Sequence, residues 1–164
     1  MFVKAPPMPI HLRDLTPIDT NEAALLFFAA VHRGTADVYS AAQREAWAGK
    51  APAPVAWEKR FDGVSGVVAE SGGGMIGFMT IDASGLIDLA FVHPDHTRTG
   101  VGRSMYHAVE IRARVLGAPR LRTFASEQAK PFFIRMGWTV DAPNTVIKGK
   151  VTLQNYKMFK SLPD

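Results

Sequence analysis

The stretch at residues 85–102, GLIDLAFVHPDHTRTGVG, constrains this chain more than any other. An apolar run over residues 86–92 stops at Pro94, passes through a short polar turn, reaches Gly100-Val101-Gly102 and opens into an amphipathic pattern. That order reads as strand, turn, glycine pair, helix. Two glycines at the mouth of a helix let backbone N–H groups approach an anion with no side chain between them, and the unpaired amides and positive dipole end favour phosphate. The stretch is therefore read as a phosphate-binding turn, although a glycine pair also serves simply to turn a strand into a helix.

Length allows one domain with a proper core, expected over residues 10–164 behind a flexible tail at residues 1–9. The tail holds three prolines and no long apolar core, unlike a signal peptide. No apolar run approaches the roughly 18 residues of a membrane span, so a cytoplasmic address without a membrane partner is expected. The formal charge of +4 comes from scattered basic residues, modestly dense at residues 98–122. That distribution suits an anionic small molecule and not nucleic acid, which wants a concentrated basic face. The chain has no cysteine, which removes disulfides, thiolate metal sites and an acyl-cysteine intermediate. No metal is expected.

Along the chain, residues 10–16 alternate as a half-buried strand, and a helix follows from about Asn21 to His32 or Arg33, with Ala24, Leu25, Phe28 and Val31 as its core face. Residues 39–47 read as a second helix with Ser40 as N-cap and Gly49 as its close. Pro52 and Pro54 make residues 50–55 a loop, and residues 57–61 add a short helix. Residues 64–70 and 75–81 are strands joined by the turn Ser71-Gly72-Gly73-Gly74, and with residues 86–92 they form a meander. The next helix buries Val101, Met105, Ala108, Val109 and Leu116 and stops at Gly117. A strand at residues 120–125 leads to a helix capped by Ser126, which takes Pro131 in its first turn and ends at Gly137. Strands at residues 138–140 and 151–159 close the chain, and residues 144–150 have no assigned structure. The order fits an α+β fold with a mixed, mostly antiparallel central sheet flanked by helices on both faces. It does not fit a doubly wound nucleotide fold, whose glycine turn follows the first strand.

Three words stand in one order and spacing: Val92-His93-Pro94-Asp95, then Gly100-Val101-Gly102-Arg103, then Ala129-Lys130-Pro131-Phe132-Phe133-Ile134-Arg135-Met136-Gly137-Trp138. With them the chain, from about Ile10 to Leu162, resembles the GNAT superfamily of acetyl-CoA-dependent N-acetyltransferases. The resemblance implies that Ala90, Phe91 and Val92 pair with the pantetheine arm like an added strand. It also implies that Arg98, Thr99, Gly100, Val101, Gly102 and Arg103 cradle the pyrophosphate, with Gln128 and Phe133 also at the cofactor. The Val92 amide is then the oxyanion donor. The region between the first two strands forms the acceptor wall, which makes His32, Tyr39 and Trp57 candidate acceptor contacts. A last-turn dipole role is the other reading of His32, and core packing that of the aromatics, preferred for Trp47.

Two positions depart from the family pattern. Thr97 stands where the turn usually begins with Gln or Arg, and an arginine follows one place later as Arg98. Phe133 stands where many relatives carry a tyrosine that protonates the leaving thiolate, and a phenyl ring donates no proton. Either the thiolate leaves unassisted, or Tyr156 supplies the proton, or the chain is a slow or inactive enzyme. A general base is expected for the amine. Asp88 is the first candidate, placed by strand alternation on the face of Ala90 and Val92, with a solvated strand carboxylate as its other reading. His93 is the second, and His96 an exposed turn residue. The expected function is acetyl transfer from acetyl-CoA to a primary amine of a small molecule or peptide by direct attack, with a homodimer left open. The competing reading is a non-catalytic acyl-CoA-binding or sensor module.

Overall fold

A computed structural model describes residue 3 and residues 8–163, so most of the expected tail lies outside the described residues. The elements in order are β1 (His11–Asp14), α1 (Thr20–His32), α2 (Ala41–Ala48), β2 (Ser65–Ser71), β3 (Gly74–Ile81), β4 (Leu86–Ile87), β5 (Ala90–Val92), α3 (Val101–Val115), β6 (Arg120–Ser126), α4 (Lys130–Arg135), β7 (Thr139–Lys148) and β8 (Val151–Ser161). They build two four-stranded sheets, β1-β2-β3-β5 and β4-β6-β8-β7. Every pairing is antiparallel except β4 with β6. The fold class is the α+β arrangement expected, but the single central sheet is divided.

The division falls inside the run at residues 86–92, which the sequence presents as one strand. Ile87 packs in the core beneath α3 together with Ala90 and Val92, whereas Leu89 and Phe91 pack in the core beneath α1. Strict alternation would put Ile87 with Leu89 and Phe91. Asp88 is therefore the extra residue of a bulge, and it does not share a face with Ala90 and Val92 as expected. Two buried threonines satisfy the backbone there: Thr80 Oγ1 accepts from the Leu89 N–H at 3.2 Å, and Thr123 Oγ1 donates to the Ile87 carbonyl at 2.7 Å. Past the bulge, β5 stays with β3 while β6 continues beside β8, and the two edges part.

Local sequence explains the frame around this split. In the β2–β3 hairpin, Gly72 and Gly73 take φ of +61° and +82°, the left-handed pair that a two-residue turn needs. Ser40 caps α2 by accepting the Gln43 N–H at 3.1 Å, while Gln43 reaches back to the Ser40 N–H at 2.9 Å. α3 lies on β2, β3 and β5 from one face and α1 on β3 and β5 from the other. Phe78, fully buried between Trp57, Phe61 and Phe91, anchors the α1 side. Burial of such a ring contributes about 1.5–3 kcal/mol.

Four expectations change. On α1 the expected Ala24 and Val31 are buried, but Ala23, Leu26 and Ala30 complete the core face with Phe27 packed against it, while Leu25 is half exposed. The expected helix at residues 57–61 is instead a 3-10 turn, Pro54–Trp57, which opens on Pro54 because that ring fits a first turn. Leu116 lies outside the buried face of α3. Residues 138–140 and the unassigned stretch after them are one long strand, β7, in a hairpin with β8. Pro143 is accommodated because β7 is an edge strand and needs no ladder bond on its outer side.

Candidate active site

The parting of β5 from β6 opens a cavity of about 420 Å³. Asp88, Leu89 and Ala90 line one side of the split, and Thr123, Ala125 and Ser126 the other. From the α4 side come Ala129 and Phe133, and from the α1–α2 side Phe27, Tyr39, Trp47, Trp57 and Phe91. The aromatic residues pack on one another: the Phe27 ring lies edge to face 5.1 Å from Phe91 and 6.2 Å from Trp47, and tilted 5.2 Å from Trp57. Such contacts fix the wall geometry as well as burying it.

β5 leaves half of its backbone unused. The Thr80 N–H donates to the Leu89 carbonyl at 2.8 Å, the His93 N–H donates to the Ile76 carbonyl at 2.8 Å, and Phe91 pairs with Phe78 between them. Residues 89, 91 and 93 thus bond toward β3, and the pleat turns the N–H and C=O of Ala90 and Val92 into the split. An extended, amide-bearing ligand can add there as a strand. Phe91 serves differently from expectation, since its backbone is spent on β3 and its ring joins the aromatic wall.

After β5 the chain makes a turn whose donors are also free. Arg98 and Gly100 have φ of +60° and +87°, with Thr99 at negative φ between them. This alternation curves successive N–H groups into a nest. Among the described residues, no N–H from residue 98 to residue 103 has a partner, and the first α3 bond runs from the Ser104 N–H to the Gly100 carbonyl. A Cβ built on Gly100 would meet nothing within 4 Å, so the approach to these amides is open. Arg98 and Arg103 are exposed beside it. Val101 contributes only its N–H, because its side chain packs over Gly77. The turn is tied to the end of α1 by Arg33, which donates to Asp95 at 2.6 Å and holds that carboxyl below its usual range. Free strand edge and free nest together fit a ligand with an amide arm and a diphosphate.

The remaining expected residues divide. Asp88 lines the cavity with its side chain half exposed, 3.3 Å from Arg60. Tyr39 is buried and also lines it; its hydroxyl donates to the Gln154 carbonyl at 2.7 Å and accepts the Glu127 N–H at 2.9 Å, and burial pushes its phenol up. Phe133 is 2% exposed and packs on Trp138 with ring centroids 4.9 Å apart. His93 lies outside the cavity, because its Nδ1 accepts the Asp95 N–H at 3.2 Å and the ring caps the turn at Pro94–His96. Tyr156 is likewise outside: its hydroxyl donates to Glu127 at 2.7 Å, which pushes the phenol up, and Lys130 sits 4.0 Å over its ring. His32 stacks on Phe28 and meets the Gly49 carbonyl at 2.8 Å, away from the cavity, and Gln128 is an exposed turn residue beyond it. Among the cavity residues that the sequence did not assign to the site, four carry a side chain of interest, one of them, Trp47, because core packing was the preferred reading. Trp47 lines the wall, Phe27 lies one place from the face assigned to α1, Lys148 sits in the stretch left without structure, and Arg60 has no local pattern to mark it.

A bulged strand that parts two sheets beside an uncapped helix N-terminus defines an α+β protein with a site for an extended, anionic ligand. Comparison with known proteins agrees. Residues 35–160 match the family model described as an acetyltransferase (GNAT) domain. A GCN5-related N-acetyltransferase from Rhodopseudomonas palustris is 34% identical, with 99% of each chain covered and a TM-score of 0.85. The uncharacterized N-acetyltransferase YafP of Escherichia coli (strain K12) is 28% identical over 152 residues, 92% of this chain and 96% of that protein. The PaiA N-acetyltransferase of Thermoplasma acidophilum, solved in complex with coenzyme A, shares the fold at a TM-score of 0.73 and 17% identity, with 94% and 100% covered. The chain belongs to the GNAT family of acetyltransferases and is an acyltransferase of that kind.

Proposed function

We propose that this chain, with residues 10–164 as one domain, moves the acetyl group of acetyl-CoA directly to a primary amine. The observation that carries the reading is the pair of free backbone devices, the edge of β5, which lines the cavity at Ala90, and the nest at residues 98–103, which follows that strand in the chain. Acetyl-CoA is the donor of the family and has the matching amide arm and diphosphate. The Ala90 and Val92 backbone takes the arm, the nest amides with Arg98 and Arg103 hold the diphosphate, and the Val92 N–H polarises the acetyl carbonyl. Asp88, at the cavity wall, accepts the proton of the attacking amine directly or through water. Phe133 packs beside the cofactor and donates nothing. The CoA sulfur departs as thiolate, which an ordinary thiol pKa of about 8.5 permits.

The non-catalytic module stays the second reading, favoured by the buried Phe133 and by a Tyr156 hydroxyl committed to Glu127 outside the cavity. A thiol-release assay with acetyl-CoA and a panel of amines separates the two. Turnover is expected, with kcat/KM falling about 10²-fold or more in Asp88→Asn at unchanged acetyl-CoA affinity, the usual size of a lost general base. Tight acetyl-CoA binding without release of thiol from any amine would make the module the correct reading.

A further inference from the structure

Resting on the acetyl-transfer reading, we infer that the acceptor is a free α-amino acid with an apolar side chain, recognised through both of its charged groups by Arg60 and Asp88. These two side chains stand 3.3 Å apart on the cavity wall, each about half exposed. An exposed pair of this kind contributes little by itself, so exchanging it for a ligand of complementary charge costs little. The guanidinium has five N–H donors, and among the described residues it spends only one, on Asp88. Trp57 lies beneath it, with the guanidinium carbon 5.5 Å from the ring centroid, which holds the fork in place. What remains free is a pre-oriented fork suited to a planar carboxylate. Among the described residues Asp88 accepts only that one side-chain bond and can take an ammonium as well.

An α-amino acid carries its ammonium and carboxylate on one carbon, about as far apart as the Arg60 and Asp88 charges. It can meet the pair group for group, ammonium to Asp88 and carboxylate to Arg60. Lys148 adds a second cation to the same cavity, so the lining favours an acceptor with an anionic group over a simple polyamine. The rest of the acceptor side is the aromatic wall of Phe27, Trp47, Trp57 and Phe91, which offers an apolar surface to a side chain. In the reaction the ammonium gives one proton to Asp88, its nitrogen forms the bond to the acetyl carbon, and the second proton that the nitrogen loses as the amide forms passes to water. The carbon–sulfur bond breaks, the sulfur leaves with the electron pair and takes a proton from solvent, and the carboxylate is unchanged. The product is an N-acetyl amino acid. A protein N-terminus has no free carboxylate on its first residue and satisfies only half of this site.

The test compares L-leucine, L-methionine and L-phenylalanine with their primary amides, which keep the amine and side chain and lose the negative charge. The wild-type enzyme with acetyl-CoA is expected to prefer at least one free acid over its amide by tenfold or more in kcat/KM. Arg60→Gln is expected to bring acid and amide within about twofold of each other. Binding of the same pairs to the CoA-saturated protein, measured by calorimetry, is expected to show the same preference and reads recognition without turnover. Equal use of acid and amide, or a preference that survives in Arg60→Gln, overturns the inference and leaves acetyl transfer standing. If no amine of any kind releases thiol while acetyl-CoA binds, both the inference and the acetyl-transfer reading fall.

Discussion

Valine at Gly100 separates the anion-binding role of the turn from its conformational one. Gly100 sits at φ +87° with open space where a side chain would grow. A branched residue there incurs about 1–2 kcal/mol of left-handed strain and fills the approach to the amides of residues 98–103. Gly117, beyond the other end of α3, supplies the control: its φ is +75° and it too has nothing within 4 Å of a built Cβ. It lies about 25 Å along the helix from Gly100, at 1.5 Å per residue. Gly117→Val should therefore lose as much stability as Gly100→Val and keep CoA affinity. At a CoA concentration one hundred times the wild-type Kd, ligand binding stabilises the fold by about 2.7 kcal/mol. In a chain of this size that raises Tm by roughly 5–11 °C. If Gly100→Val weakens binding about a hundredfold, the same concentration leaves about 0.4 kcal/mol, a rise of roughly 1–2 °C. Melting curves of both variants with and without CoA read the difference. Equal CoA-dependent shifts in Gly100→Val and Gly117→Val would refute the claim that these amides bind the diphosphate.

Three further outcomes follow from side chains on α3, α4 and β8. Burial works to raise the Glu110 carboxyl, but hydrogen bonds from Tyr106, Lys160 and Arg114 outweigh it and hold it at about 2, well below its ordinary value of 4.5. A lowered carboxylate pKa adds stability that is full above pH 4.5 and is lost as pH falls toward 2, here on the order of 3 kcal/mol. Glu110→Gln should flatten that acid limb in urea unfolding between pH 6 and pH 3, and an unchanged limb would exclude Glu110 as its source. Tyr156→Phe should leave kcat within about twofold, because its hydroxyl is engaged by Glu127 outside the cavity, whereas Phe133→Tyr should raise kcat at least tenfold if thiolate departure limits the rate. A collapse of activity in Tyr156→Phe at unchanged acetyl-CoA affinity would identify Tyr156 as the acid after all.

The features legible in the sequence are those carried by short-range rules. Ser40 and Gln43 announce a capping box, Gly72 and Gly73 a hairpin, and Gly100 the left-handed entry to α3. Each acts within four residues, so a reader of the chain sees the cause itself. Residues whose roles arise from neighbours far along the chain were not legible. Lys148 reaches the cavity only because β7 pairs along its whole length with β8, a partner that no residue of 144–150 announces. His93 and Tyr156 have the right chemistry for a base and an acid, yet each is spent on a partner, Asp95 and Glu127, that its own chemistry does not select.

The bulge at Asp88 shows why the same run of residues supported a correct family and an incorrect face. In residues 86–92 the apolar content fixes only that both faces are buried, because apolar residues stand at nearly every position and no period-two contrast marks an inserted one. What reveals the insertion is tertiary: Thr80 and Thr123 each complete one bond that an uninterrupted ladder would have made. Were the strand regular, Asp88 would share a face with Ala90 and Val92, under α3 and away from Arg60. The extra residue instead turns its carboxylate into the split, on the side where Arg60, Trp57 and the aromatic wall lie. One inserted residue thus opens the cleft into which the acetyl-transfer proposal places the donor arm, and also aims a carboxylate into that cleft.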